Sequence, residues 1–381
     1  MYLQGEDYMR IAIDGRGINW YHGTGIGTYT ENLVKNLLQI DKKNHYLLYW
    51  SGPDYDKYKR NNSTIHMCSK RYHRFFEESY FPTTNDINNI DIHHIPQNGI
   101  GLYKDMNCKK VVTIHDLIPY IMPETVGKGY LAKFMEEMPK IIKESSAIIT
   151  VSEHSKKDIL KFFPNAEGKV FVTYLAPKDI YKPLRRQSCI KYLKRKYSID
   201  TPFLLYVGGF SSRKNVKGLI LSFYNMIKIF DKPLKLVVTG SLKDDGENLL
   251  KLCHDLNLDD KIIFTGFIPE EDLPIFYNGC EIFIYPSLYE GFGLPPLEAM
   301  SCGIPVITSN TTSIPEVVSD GGILIDPFDE NSLTKSMITL LTDEKLNVQL
   351  RFKALNRAKN FSWLNTSFET LNIYNWILNN S

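Results

Sequence analysis

The sequence lacks most of the features that would place it quickly. Its 381 residues hold no run of about 18 apolar residues, so no membrane-spanning helix is expected. Residues 1–10 are polar and contain no signal-peptide core. The six cysteines (Cys68, Cys108, Cys189, Cys253, Cys280, Cys302) are scattered, with no C-x-x-C pair. That argues against a disulfide framework or a zinc site and for free thiols in a reducing cytoplasm. A net charge of +2 makes no demand for a nucleic-acid partner. No segment repeats with a period of about 20–50 residues, so a solenoid is not expected.

What is present points to two ordinary globular domains. The length exceeds one compact core and suits two domains of roughly 150–200 residues. Short apolar, β-favouring runs alternate with helical patterns along the whole chain. The expected strands begin at Ile11, Tyr46, Thr64, Asp91, Lys110, Ala147 and Lys169, then at Phe203, Leu234, Ile262, Glu281, Pro305 and Ile323. Strands alternating with helices predict parallel, doubly wound sheets, with active groups at the carboxyl ends of the strands. The basic stretch Tyr181–Ser198 separates two strand-bearing blocks and reads as a linker. We therefore expect domains at 1–183 and 184–362, with 363–381 a helix returning to the first.

The run from Pro286 to Thr308 organises the chain. A strand, EIFIY, ends at Tyr285, a loop with Gly291 and Gly293 follows, and Pro295-Pro296 opens a helix that Gly303 stops. Glu290 sits in the loop and Glu298 in the expected first helical turn. Between them lie the amides of Phe292, Gly293 and Leu294, which glycine leaves approachable. Carboxylates accept the paired hydroxyls of a sugar, and a helix N-terminus attracts phosphate. A tight βα connection alone would also explain one glycine pair.

Other strand ends carry candidates. The first strand runs into a loop with Gly15, Gly17, Gly23, Gly25 and Gly27, whose spacing is not G-x-G-x-x-G. His115-Asp116 follows the strand VVTI, and a histidine merely holding that turn would read the same. In the second block, Gly208-Gly209 leads to Arg213 and Lys214 at a helix start. Cations are disfavoured there unless an anion sits between them and the helix. Thr265-Gly266-Phe267-Ile268 follows another strand and suits a nucleotide base held by main-chain groups. The basic, aromatic stretch Lys70–Phe76 suits a solvated face or an anionic surface.

The spacing Glu290-x7-Glu298, with Pro286-Ser287 before and Gly303-Ile304-Pro305-Val306 after, closely resembles family 4 glycosyltransferases, the retaining enzymes of the GT-B fold. The order of the motifs resembles that family from Ile11 to Trp363: Gly25-Ile26-Gly27, His115-Asp116, Val151-Ser152-Glu153, Gly208–Asn215, Thr265-Gly266-Phe267, the glutamate pair and Phe361-Ser362-Trp363. Within the family it looks most like bacterial mannosyltransferases of surface polysaccharide synthesis.

The resemblance implies two Rossmann-like domains facing a cleft and a nucleoside-diphosphate hexose as donor, GDP-mannose first and a UDP-hexose second. The acceptor would be a glycan or lipid-linked saccharide. It implies no metal cofactor, and an enzyme in the cytoplasm, peripheral at the inner membrane face. Glu290 would hold the sugar, His115 would lie near it, and Lys214 would neutralise the diphosphate. Gly25 and Gly27 would face the donor, and Glu298 the ribose. One departure stands out: Gly209 occupies a position where many members carry arginine, a role Arg213 would take over.

Rival classes fit less of the sequence. A nicotinamide oxidoreductase fails at both glycine loops. A glycosidase would use two carboxylates roughly 5 or 6.5–9.5 Å apart and leave Arg213 and Lys214 unexplained. A non-catalytic sugar-nucleotide sensor of the same fold remains compatible. So does a transferase using UDP-glucose or UDP-GlcNAc.

Overall fold

The computed structural model describes residues 8–68, 89–100 and 107–380. Lys70–Phe76 lies outside them. The chain divides into two units, residues 1–175 with 362–381 and residues 176–361.

In the first unit the strands are β1 (Arg10–Asp14), β2 (His45–Trp50), β3 (Ser63–Met67), β4 (Ile92–Ile95), β5 (Lys109–Ile114), β6 (Ala147–Thr150) and β7 (Val170–Val172). They form one parallel sheet in the order β3-β2-β1-β4-β5-β6-β7. In the second unit β8 (Phe203–Val207), β9 (Lys235–Thr239), β10 (Ile262–Gly266), β11 (Ile282–Tyr285), β12 (Val306–Ser309) and β13 (Ile323–Ile325) form another, ordered β10-β9-β8-β11-β12-β13. All pairings there are parallel as well. Central strands such as β6, β11 and β12 are buried along their whole length. Helices cover both faces of such sheets, which is why these strands read as continuous apolar runs without alternation. Each sheet reverses its strand order once, between β1 and β4 and between β8 and β11. No helix among the described residues is long and apolar enough to cross a membrane.

Two expectations change. Residues 186–197 within the expected linker form a helix, Arg186–Tyr197. Cys189 and Leu193, four apart, bury one face of it, and Tyr197 packs edge-on to Phe276 at 4.9 Å. Its lysines and arginines are the solvated face of an amphipathic helix. The chain instead passes between the units at Leu175–Ala176. The glycine loop after β1 is also shorter than expected, because Gly25 and Gly27 already belong to the helix Gly25–Ile40.

The C-terminal helix Trp363–Asn379 belongs to the first unit. Its Thr366 hydroxyl donates to the Tyr174 carbonyl at 2.6 Å, and its Tyr374 reaches His94 of β4.

Candidate active site

Ligands of open parallel sheets bind beyond the carboxyl ends of the strands, where the strand order reverses. In the second unit that point lies between β8 and β11. β8 runs into Gly208–Asn215 and β11 into Pro286–Gly293. The Leu288 amide joins the two connections by donating to the Arg213 carbonyl at 2.7 Å.

Glu290 lies at the centre, 8% exposed. Its Oε1 accepts from Lys214 Nζ at 2.6 Å and from the Tyr285 hydroxyl at 2.9 Å, with Arg213 Nη1 3.2 Å away. Lys214 Nζ also donates to the Tyr285 oxygen at 2.6 Å, and Arg213 Nη1 to the Tyr289 carbonyl at 2.9 Å. Burial alone would raise the Glu290 carboxyl. The charges of Lys214 and then Arg213 outweigh burial and hold it at about 2, so it stays ionised. Two cations thus face one carboxylate. The anion that their helix-start position called for is supplied at least in part by the chain itself.

The Glu290 loop is fastened from the next connection. Glu290 N donates to Thr312 Oγ1 at 3.2 Å, and the Ser313 hydroxyl donates to the carbonyls of Glu290 and Phe292 at 2.9 and 2.8 Å. Gly293 precedes the helix Leu294–Ser301 with φ +116°, and a Cβ there would meet Ile314 Cδ1 at 2.6 Å. The positive φ favours glycine, whereas Ile314 Cδ1 is the end of a side chain that can move aside. Pro295 and Pro296 bring no N–H to the helix start, so the amides of Phe292, Gly293 and Leu294 are the donors of this turn. The Phe292 ring itself is 4% exposed and packs edge-on to Phe361 at 5.9 Å. Only its main chain is placed for a ligand.

Glu298 differs from expectation. The helix starts at Leu294, so Glu298 is its fifth residue and lies beyond the first turn. Its Oε2 accepts from the Tyr277 hydroxyl at 2.9 Å. Burial pushes its carboxyl up to about 7, partly opposed by that hydrogen bond. The two glutamates of one motif are therefore poised in opposite senses. Gly209 is exposed, and a Cβ there would meet nothing within 4 Å. Gly266 ends β10 at φ +69°, Phe267 is 72% exposed, and Ile268 is buried.

His115, Gly25 and Gly27 lie in the first unit. His115 follows β5 and is 6% exposed. Its Nε2 bonds to the Pro96 carbonyl at 2.8 Å, and its amide donates to Asn98 Oδ1 at 2.8 Å. Since Pro96 O can only accept, Nε2 carries the proton and Nδ1 the lone pair. Burial lowers the ring to about 4, so it is neutral. Gly27 is buried, and a Cβ on it would lie 2.2 Å from the Tyr21 carbonyl. Close packing therefore accounts for Gly27, whereas Gly25 lies exposed at the helix start. The D-x-D string Asp54-Tyr55-Asp56 lies at a 3-10 turn, with each acid paired to a lysine, Asp54 to Lys57 and Asp56 to Lys59.

The structure thus brings Arg213, Lys214, Glu290, Phe292, Gly293 and Leu294 together at one switch point. It adds three groups that the sequence reading passed over: Tyr285 between Lys214 and Glu290, Tyr277 at Glu298, and the Thr312–Ser313 anchor.

Comparison with known proteins gives this site its class. Residues 192–357 match the family described as Glycosyl transferases group 1. The O-antigen chain mannosyltransferase B of Escherichia coli is 32% identical over 266 residues, covering 70% of each chain. The serotype-specific mannosyltransferase WbdA of Escherichia coli is 31% identical over 72% of this chain, which spans only 34% of that relative. Among solved structures, a sucrose-phosphate synthase from Thermosynechococcus elongatus superposes with a TM-score of 0.75 at 18% identity, covering 98% of this chain and 100% of that one. That likeness speaks to the fold, which is GT-B. The chain is a glycosyltransferase enzyme. It belongs to the group 1 family, and its look is that of the family's mannosyltransferases.

Proposed function

We propose that the chain is a retaining hexosyltransferase that moves mannose from GDP-mannose to a glycan or lipid-linked saccharide in cell-surface polysaccharide synthesis. It would work at the inner membrane face without spanning the bilayer. The observation that carries the reading is the gathering of Lys214 and Arg213 around the ionised Glu290 at the β8/β11 switch point. The activity named for the O-antigen relative favours mannose.

As the glycosidic bond breaks, negative charge grows on the departing nucleoside diphosphate. Lys214, Arg213 and the start of the helix Leu294–Ser301 stabilise it by preorganised electrostatics. Glu290, held ionised, accepts sugar hydroxyls. Three donors crowd its Oε1, which suits an acceptor and not a nucleophile. Attack then comes on the face the phosphate leaves, and that phosphate takes the acceptor's proton. No metal enters this scheme, since the charge is met by side chains.

A panel of nucleotide sugars, read by thermal shift, tests the donor, with GDP-mannose expected to shift the melting temperature most. Transfer is expected to persist in EDTA and to give an α-linked product by anomeric proton couplings. A β-linked product, or activity lost in EDTA and restored by manganese or magnesium, would count against this scheme.

Glu298 gives a pH signature. To accept ribose hydroxyls it must be ionised, and its proton leaves near pH 7. GDP binding is therefore expected to tighten several-fold between about pH 6 and pH 8. Glu298→Gln is expected to bind more weakly and without that slope. Stability runs the other way. The folded value is raised above the ordinary 4.5, so the folded state keeps a proton that the unfolded chain has lost. Stability then falls as pH rises from about 4.5 to 7 and levels off above, by on the order of 3 kcal/mol. Glu298→Gln should remove this decline, so its melting temperature relative to wild type should rise with pH. A pH-independent difference would refute the assignment.

A further inference from the structure

Within the first unit, His115 is braced by a buried chain of polar groups that the reaction scheme does not use. Tyr29, in the second turn of the helix Gly25–Ile40, is fully buried and meets the His115 ring edge-on, with centroids 5.0 Å apart and planes at 88°. The Tyr29 hydroxyl is 3.0 Å from Thr113 Oγ1, and Thr113 lies 2.8 Å from His94 Nε2. His94 Nδ1 lies 2.6 Å from the Tyr374 hydroxyl of the C-terminal helix. The first residue of that helix, Trp363, packs its ring on Tyr29 at 6.2 Å. The helix Trp363–Asn379 therefore reaches Tyr29 directly, through Trp363 and the Thr370 hydroxyl, and also through hydrogen bonds from Tyr374.

We propose that Tyr29 is a positioning residue for His115, and that the C-terminal helix sets Tyr29 through Trp363 and through the Tyr374–His94–Thr113 chain. Thr113 and His115 are two apart on one extended run, so both side chains leave the same face. The Pro96 carbonyl fixes one ring nitrogen of His115, which leaves the ring plane to be set by a neighbour. Tyr29 supplies that plane, as aromatic rings favour edge-to-face contact. His94 orders the chain. Whichever of its nitrogens carries the proton, one neighbour donates to it and the other accepts, so the network is satisfied without charge.

A network serving only to satisfy buried groups would change stability on mutation and leave His115 where it is. Ring ¹⁵N signals of His115 in histidine-labelled protein, assigned with His115→Gln, separate the two. Wild type is expected to show a single Nε2–H tautomer. Tyr29→Leu should give averaged ring shifts and lower kcat for GDP-mannose turnover about a hundredfold, the cost of a small misplacement. The GDP-mannose KM should stay within about threefold, because the nucleotide site lies in the other unit. Tyr29→Phe, which keeps the ring and loses only the hydroxyl with its bond to Thr113, should recover about tenfold of that loss. Tyr374→Phe should shift the His115 signals in the same direction and lower kcat about tenfold. It decides the question if Tyr29→Leu does not fold.

The inference rests on His115 lying near the donor sugar, and the two readouts keep that reading apart. Shifted ring signals with unchanged kcat uphold the positioning and remove His115 from the reaction. Unchanged ring signals in the folded variants overturn the positioning, whatever happens to kcat.

Discussion

Glu290→Ala is expected to abolish nearly all transfer, a loss of at least about a thousandfold in kcat. Two effects combine in that figure. The sugar loses an acceptor that the site holds permanently ionised, and loss of one preorganised group alone costs about 10²–10³. Lys214 and Arg213 also lose the carboxylate that keeps them in place, and removing one partner of a buried ion pair leaves uncompensated charge worth about 3–5 kcal/mol. The variant should therefore melt lower in the absence of ligand, and GDP should recover part of the difference because its phosphates replace the missing negative charge. Glu290→Gln keeps the shape and removes only the charge, so it should be nearly as inactive. Wild-type turnover in a folded Glu290→Ala protein would end the assignment.

Lys214→Ala should cost about 2–4 kcal/mol of transition-state stabilisation, measured as kcat/KM for the nucleotide sugar. The residue stands closest to Glu290 and is bonded to Tyr285 as well, so its loss undoes the geometry of both. Arg213→Ala should cost a comparable amount if Arg213 takes the role that the family resemblance assigns to an arginine at the position of Gly209. Its guanidinium is anchored on the Tyr289 carbonyl and shares Glu290 with Lys214. Unchanged kinetics in Arg213→Ala would place the substitute elsewhere. The open space around Gly209 then offers a direct test, since Gly209→Arg should be tolerated and should recover activity lost in Arg213→Ala.

The strands were legible because parallel sheets bury both faces, which turns β6, β11 and β12 into unbroken apolar words. Punctuation was legible for the same kind of reason. Pro286 follows β11, and Gly303, at φ +72°, follows the helix Leu294–Ser301. Fully buried strands also hide information. IFIY gives no sign of which side chain ends at the sheet edge, so Tyr285 passed as one more apolar residue until its hydroxyl was seen between Lys214 and Glu290. Glu298 shows a second limit. Its place in the motif was plain, but its raised proton affinity comes from burial by segments distant in sequence, against the opposing hydrogen bond from Tyr277. Glycine was ambiguous throughout. Gly27 is required by the Tyr21 carbonyl and Gly293 by its positive φ, and nothing local distinguishes those causes from contact with a ligand. The basic stretch 186–197 misled because six of its twelve residues are charged or amidic on a helix whose buried positions are only Cys189 and Leu193.

The first unit is split, its last helix arriving after the whole of the second unit. On the ribosome this inverts the usual order of completion. Domains generally fold as they emerge, at about 5–20 residues per second, so the earlier one is finished while the later is still being made. Here residues 1–175 emerge first and then wait roughly 10–40 seconds for the segment carrying Trp363 and Tyr374. During that interval Tyr29 and His94 lack the partners that bury them, while residues 176–361 have everything they need to close. The second unit is therefore born complete, and the unit that begins the chain is the last to mature. A nascent chain stalled before Trp363 would hold a finished second unit and an unfinished first one.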